Sequence, residues 1–303
     1  MAESVQDAAG RGGAGRPMGG GRPGGPGGRP RGVQRVFEVV RTERVAPQLV
    51  RVHLGGDAFD GFVENAGPEK LALADKYVKF LFARPELELE PPYDLDALRA
   101  RLDPADMPVR RTYTVRAVDH EAKTIAVDFV VHGDAGLAGP WAASAQPGDR
   151  VALSGPGAKY TPASGDVFHL LVVDDAAIPA VAVALETMSA DARGVALIEV
   201  ADADAHVELT APAGVEVRWL HREGAGYGEP LVTAVLALPQ PEGEVDVFAH
   251  GEREAIKRIG AHLHESWGIE RPAMSLSAYW AFGRSEDAFQ AEKRSPAGQI
   301  FAD

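Results

Sequence analysis

The chain has no cysteine. Disulfides, thiolate zinc sites and protein-held iron–sulfur clusters are therefore excluded, and a reducing cytoplasm is the expected compartment. No apolar run approaches the roughly 18 residues of a membrane-spanning helix. The first residues carry no apolar signal-peptide core. Positive charge is scarce: 31 Lys and Arg face 44 Asp and Glu, for a net charge of −13. General nucleic-acid binding needs a basic field, so it is not expected, although a small basic pocket remains compatible with the balance. Neither "VVDDAAIPA" nor "FAHGERE" is a GxGxxG turn, and "GDAGLAG" lacks the GK[ST] ending of a P-loop, which removes a strict dinucleotide fingerprint at a strand end and nucleoside triphosphate hydrolysis.

What is present fills two ordinary domains: 303 residues, 45% of them hydrophobic. Residues 1–32 hold 12 glycines among Arg and Pro, too little apolar surface to offset ordering entropy. This tail has five Arg against Glu3 and Asp7, leaving about −16 on the remainder. It reads as a disordered segment, with a weak tether to RNA or another acidic surface as the sharper alternative. From Val33 the texture changes. "VFEVVRTERV", "LVRVHLGG", "KYVKFLFA", "RTYTVRAV", "TIAVDFVVH" and "RVALSGP" are β-rich runs between Gly, Pro and charged turns, which predicts a six-stranded antiparallel barrel over 33–162. A short helix is expected at 94–101, and another in "GPWAASA". Over 163–303 continuous apolar runs such as "FHLLVVDD" and "GVALIEVAD" alternate with helical stretches, which predicts a parallel α/β sheet. "RSEDAFQAEKRSP" reads as a solvent-facing tail helix.

One strand is unusual. In "RRTYTVR" alternation puts Arg111, Tyr113 and Val115 on one face and Thr112, Thr114 and Arg116 on the other, so neither face is apolar. Ligands of open α/β sheets bind outside the carboxyl ends of the strands, which here read "VVDDAAIPA" and "FAHGERE". Both pass straight into a helix N-terminus, where free N–H groups favour anions.

The Arg111, Tyr113, Thr114 run matches the R-x-Y-[ST] flavin signature of the ferredoxin-reductase-like superfamily. Together with "VDFVVHGDAGLAGPWAASAQPGDRVALSGP", "VVDDAAIPAVAVALE", "FAHGEREAIK" and "LSAYWAFGRSEDAF", the chain over roughly 33–295 resembles the siderophore-interacting proteins. Those are flavin-dependent ferric-siderophore reductases with a barrel and an α/β domain. The resemblance implies an FAD-binding barrel followed by a nucleotide-binding-like α/β domain. Arg111 would fork to the FAD diphosphate, Tyr113 lie against the ring or ribityl chain, and Thr114 reach the ring edge. Asp128, Val130 and His132 would flank the cofactor. Gly133, Gly136, Gly139, Ala138, Trp141 and Ala142 would form the loop and helix that meet the diphosphate. Here "GLAGPWA" departs from the family's Gly-Pro-Ala-Ser-like run. Asp174 and Ala177 sit in a D-[ED]-T-A-[LI]-P-A-like segment, with Ala176 where Thr is usual. Glu252 would face the nicotinamide or flavin edge, and Tyr279 and Trp280 would shield the ring. Asp174, Asp175 and Glu252 would serve equally as helix caps, and the two aromatics as core.

On this reading the flavin carries the chemistry and no protein general base is required. NADPH or NADH is the donor, with ferredoxin as an alternative. The acidic strand end at Asp202 and Asp204 leans toward NADH. The substrate is a ferric siderophore, docked by local cations among Lys79, Arg253 and Lys257. No His, Asp and Glu set has the spacing of a protein-held metal. The expected protein is a cytoplasmic monomer. A reductase serving another acceptor, or a siderophore-binding protein without flavin, are the competing readings.

Overall fold

The computed structural model describes residues 33–131, 136–293 and 295–301. The tail over 1–32, and with it the expectation of a disordered or RNA-tethering segment, lies outside the described residues.

The six β-rich runs close on themselves. β1 (Arg35–Ala46), β2 (Leu49–Gly55), β3 (Tyr77–Phe82), β4 (Val109–Asp119), β5 (Thr124–Val130) and β6 (Arg150–Gly157) form a closed barrel in the order β1–β2–β5–β4–β3–β6, every pairing antiparallel. Closure leaves no free edge, and alternate residues meet inside. Phe37, Val52, Leu54, Val78, Phe80, Ile125, Val127, Phe129 and Leu153 are fully buried there. Each large side chain contributes about 1.5–3 kcal/mol by leaving water.

Helix α1 (Ala58–Ala72) was not expected from the sequence. Gly61, Gly67 and Pro68 interrupt any helical period, and Gly67 at φ +71° kinks the chain there. The helix persists because its apolar side closes the barrel: Phe59 and Phe62 are buried, and Phe62 meets Phe37 edge to face at 5.7 Å. Helix α2 (Leu95–Arg99) is short and is capped by Asp94, which accepts from the Asp96 and Ala97 N–H groups. Helix α3 (Ala138–Ser144) follows β5.

The second half has β7 (Val167–Asp174), α4 (Ile178–Thr187), β8 (Arg193–Val200), β9 (Gly214–His221), α5 (Glu229–Ala237), β10 (Glu244–Glu252), α6 (Arg253–Glu265), β11 (Met274–Trp280) and α7 (Glu286–Glu292). Its five strands pair in the order β11–β10–β7–β8–β9, all parallel. Both faces are covered, which explains the unbroken apolar runs of β7 and β8. No helix among the described residues is long and apolar enough to cross a membrane.

Two carboxylates fix the segment between barrel and sheet. Asp75 Oδ1 accepts from the Lys159 and Tyr160 N–H groups at 2.7 and 2.8 Å. Asp246 Oδ2 accepts from the Tyr160 hydroxyl, the Ala163 N–H and His169 Nδ1 at 2.8, 3.0 and 2.9 Å. Arg116 adds a two-pronged pair from β4 to Glu186 on α4.

Burial alone would raise the Asp246 carboxyl, but its hydrogen bonds from His169, Ala163 and Tyr160 hold it below the usual range. A carboxyl lowered in the folded state stabilises fully above its unfolded pKa, and that contribution is lost as pH falls through the folded value. Asp246→Asn is expected to cost about 2 kcal/mol or more at pH 7. Its urea midpoint should then differ less from the parent's below the ordinary Asp value of 3.8. Equal midpoints at pH 7 would show that the clamp is dispensable.

Candidate functional site

A cleft of about 1320 Å³ runs between the barrel wall at β3–β5 and the carboxyl ends of the sheet strands. Strand β4 supplies its unusual residues. Phe80 opposes Arg111 and Tyr77 opposes Thr114 across the β3–β4 ladder. The predicted alternation holds as far as Tyr113. A register shift against β5 between Val115 and Ala117 then leaves both Thr114 and Val115 buried.

Tyr113 faces the cleft and rests on the barrel core, its ring 4.3 Å from Phe129 and 5.9 Å from Phe80. Burial raises its phenol pKa. Arg111, also on the wall, donates through Nη1 and Nη2 to Asp287 on α7 at 3.0 and 3.3 Å. The tail helix is therefore not simply solvent-facing. It seats Phe289, which is 1% exposed, and contributes Glu286, Gln290 and Lys293 to the cleft wall.

Thr114 of β4 and Tyr279 of β11 both line the cleft; Tyr279 contacts His250 Nδ1 at 3.2 Å, and His250 Nε2 contacts Ser275 Oγ at 3.1 Å. Burial raises Tyr279 and lowers His250 to about 3, so His250 is a neutral imidazole.

Of the other sequence-predicted residues, Lys79, Asp128, Val130, Gly136, Ala138 and Trp280 also line the cleft. Asp128 is tied to Arg51 directly across the β2–β5 ladder at 2.6 and 2.9 Å. Gly136 takes φ +83° with open space where a side chain would begin. His132 and Gly133 lie outside the described residues.

Others stand behind the wall. Trp141 packs 5.3 Å from Phe82 and 5.6 Å from Phe129, and Ala142 and Ala177 are buried in the cores. Asp174 is a buckle at the strand ends: it accepts from the Ala176 N–H, the Glu252 N–H and Trp280 Nε1 at 3.0, 2.7 and 2.8 Å. Burial, with Asp175 beside it, pushes its carboxyl above the ordinary range against those donors. A Cβ on Gly251 would sit 2.7 Å from Asp174 Oδ2, which is why glycine stands there. Glu252 caps α6 through the Glu254 and Ala255 N–H groups and accepts from the Phe282 N–H. Both its oxygens are engaged, so the capping role applies. Arg253 pairs with Glu254 and Glu292, and Lys257 with Glu254 and the Ala297 carbonyl; neither reaches the cleft wall.

Sequence reasoning missed His250, Arg222, Tyr227, Phe282 and the α7 residues. The rule that sheet ligands sit at strand carboxyl ends points to β9 and β10, and so to Arg222 and His250. Arg222 is held by Asp175 and Glu199 at 2.8 and 3.2 Å and lies over the Tyr227 ring at 4.6 Å. Among the described residues no group of three or more His, Asp or Glu could hold a metal ion.

A closed antiparallel barrel followed by a parallel α/β sheet, with a cleft between them, defines the ferredoxin-reductase-like fold. The profile of the siderophore-interacting FAD-binding domain matches residues 38–160, and that of siderophore-interacting proteins matches 168–283. The chain belongs to the siderophore-interacting protein family and carries its FAD-binding domain. It is 30% identical to the ferric vibriobactin reductase ViuB of Vibrio cholerae over 264 residues, 86% of this chain and 93% of that one. It is 29% identical to the NADPH-dependent ferric-chelate reductase of Escherichia coli, over 81% of this chain and 92% of that one. The crystal structure of a siderophore utilization protein from T. fusca superposes with a TM-score of 0.70 at 36% identity, covering 84% of this chain and 94% of that one.

The His250 ring gives a direct check on the cleft's polarity. Its side-chain NMR shifts should stay at neutral-imidazole values from pH 8 to pH 5, where an ordinary histidine titrates near 6.5. Titration near 6.5 would mean that water reaches the ring.

Proposed function

We propose that the protein reduces ferric siderophores in the cytoplasm, with electrons passing from NADPH or NADH through FAD. The observation that carries this reading is the pairing on one cleft wall of a guanidinium, Arg111, with a core-anchored aromatic, Tyr113, within the FAD-binding domain. An FAD molecule has an anionic diphosphate and a flat, amphipathic ring. The cleft exceeds the roughly 300–1,000 Å³ of sites for drug-sized ligands, as a dinucleotide requires. Arg111 can hold the diphosphate, and the open backbone at Gly136 lets it approach closely. Tyr113 offers a flat face to the ring, and buried Thr114 a hydroxyl to its edge.

Bound there, FAD would supply the step from one hydride, carrying two electrons, to single-electron transfers to iron, which a nicotinamide does not do by itself. The chain's own part is to bind, orient and exclude water. His250 and Tyr279 are neutral and keep charge away from the ring. Asp174, Glu199 and Glu252 are occupied with backbone amides, so no free carboxylate of theirs is left as a general base.

The ferric chelate is the substrate, and many such chelates are anionic. Lys79 lines the cleft without an ion-pair partner among the described residues, and the Lys293 ammonium pKa is lowered by burial, partly offset by Glu286, and further by Lys79. These two are the docking cations of this proposal, in place of Arg253 and Lys257. The Escherichia coli relative supports NADPH as donor. Arg222, a wall cation near the acidic β8 end, is already neutralised by two carboxylates and offers little to a 2′-phosphate. Both nicotinamides therefore belong in the test.

The purified protein is expected to show flavin absorbance or to gain it on adding FAD. Anaerobic titration with NADPH and NADH should bleach it, and a ferric siderophore should restore the colour while a chelator traps ferrous iron. Iron reduction no faster than with free flavin would overturn the reading. Bleaching by reduced ferredoxin alone would reassign the donor. Arg111→Ala should weaken FAD binding about 10–100-fold, the worth of a charge-assisted contact, with circular dichroism unchanged. Unaltered FAD affinity would move the diphosphate away from Arg111.

A further inference from the structure

We propose that Asp287 competes with the cofactor's diphosphate for Arg111, so that α7 sets how tightly flavin is held. The inference rests on the flavin reading above. Both terminal nitrogens of Arg111 meet the two oxygens of Asp287 at 3.0 and 3.3 Å, the two-pronged contact a phosphate would make. Nη1 is further committed to the Arg110 carbonyl at 2.8 Å. The Arg111 side chain is 16% exposed and stays in the wall, whereas that of Asp287 is 66% exposed. The carboxylate therefore reaches the guanidinium from solvent and is not held by burial. Such a pair is weak enough to be displaced.

The second acid of the same turn adds to the effect. Glu286 lines the cleft, and its carboxyl is raised first by burial and drawn back by Gln290 and by Arg111. Two acidic side chains thus stand at the one guanidinium assigned to an anionic ligand. Other contacts also hold α7. Phe289 is buried beneath the helix with Lys293 over its ring at 4.6 Å, Ser285 accepts from the Ala288 N–H, and Glu292 pairs with Arg253 and Arg284. Asp287 can leave Arg111 by rotating its own side chain while the helix keeps its seat.

The experiment is FAD titration of the full chain, followed by quenching of flavin fluorescence, for the parent, Asp287→Asn, Arg111→Ala and the double variant. Asp287→Asn is expected to bind FAD about two- to five-fold tighter, the worth of an exposed ion pair removed from the unbound state. In the Arg111→Ala background the same substitution should change nothing, because the contested group is gone. Flavin-free melting temperatures of parent and Asp287→Asn should agree within a degree or two, separating competition from a change in folding. Unchanged or weaker FAD binding by Asp287→Asn would overturn the competition, weaker binding showing instead that Asp287 holds Arg111 ready for the cofactor. A gain that persists without Arg111 would also overturn it. If no form binds FAD, the flavin reading falls and this inference with it; if the parent binds and Asp287→Asn binds equally, only the competition falls.

Discussion

The cleft exists because the chain between the two halves is held from both sides by carboxylates. Asp75, just before β3, takes the backbone N–H groups of Lys159 and Tyr160. Asp246, on β10, takes the Tyr160 hydroxyl, the Ala163 N–H and His169. Tyr160 is common to both clamps, and its ring packs 4.6 Å from Phe248 in the sheet core. A connection of this kind would otherwise behave as a linker, and two domains joined by a linker are expected to move. Here the wall carrying Arg111 and Tyr113 is set against the strand ends carrying His250 and Tyr279, and all four line one cleft.

A second pattern runs along the strand ends. The acidic residues that look most like catalytic groups are spent on backbone amides. Asp174 ties β7 to β10 and β11, Glu252 caps α6, and buried Glu199 accepts from the Gly228 N–H at 2.9 Å and from Arg222. Buried polar groups must be satisfied, and a carboxylate with several N–H donors is a stable way to end a parallel strand next to a helix. The consequence for function is that the wall presents aromatic rings, hydroxyls and a neutral imidazole more than free acids. This suits chemistry borne by a bound cofactor better than proton abstraction by the protein.

Charge is distributed against the average. A chain with net −13 places Lys79, Arg111 and Lys293 on one cleft. Acids such as Glu286 line the same cleft, and α7 brings a carboxylate directly to Arg111 in Asp287. An exposed carboxylate meets the guanidinium there, in a pair weak enough to exchange with a ligand.

The β-rich runs and the alternating strands and helices were legible because periodicity and turn residues are local properties, and closure or parallel stacking is the available way to bury those faces. Arg111 and Tyr113 stood out as an arginine and a tyrosine on one face of a barrel strand, their link to a cofactor came from the resemblance to the R-x-Y-[ST] signature, and the structure puts both on the cleft wall. Helix α1 was not, since Gly61, Gly67 and Pro68 erase its period and only the barrel end it plugs makes it form. Nor could the sequence distinguish wall from backing. Trp141 and Ala142 lie one and two residues past Pro140, yet the inward side of α3 turns them into the barrel core while Ala138 meets the cleft. Glu252 and Asp174 stood open between cap and ligand until their donors were seen, and Arg253 and Lys257 looked free until Glu254 and Glu292 were placed beside them. The sequence by itself determined the two architectures and the strand that departs from them. Only the tertiary structure decided which charged groups remain available, because that depends on partners brought together from distant positions, as Asp287 is brought to Arg111 across 176 residues.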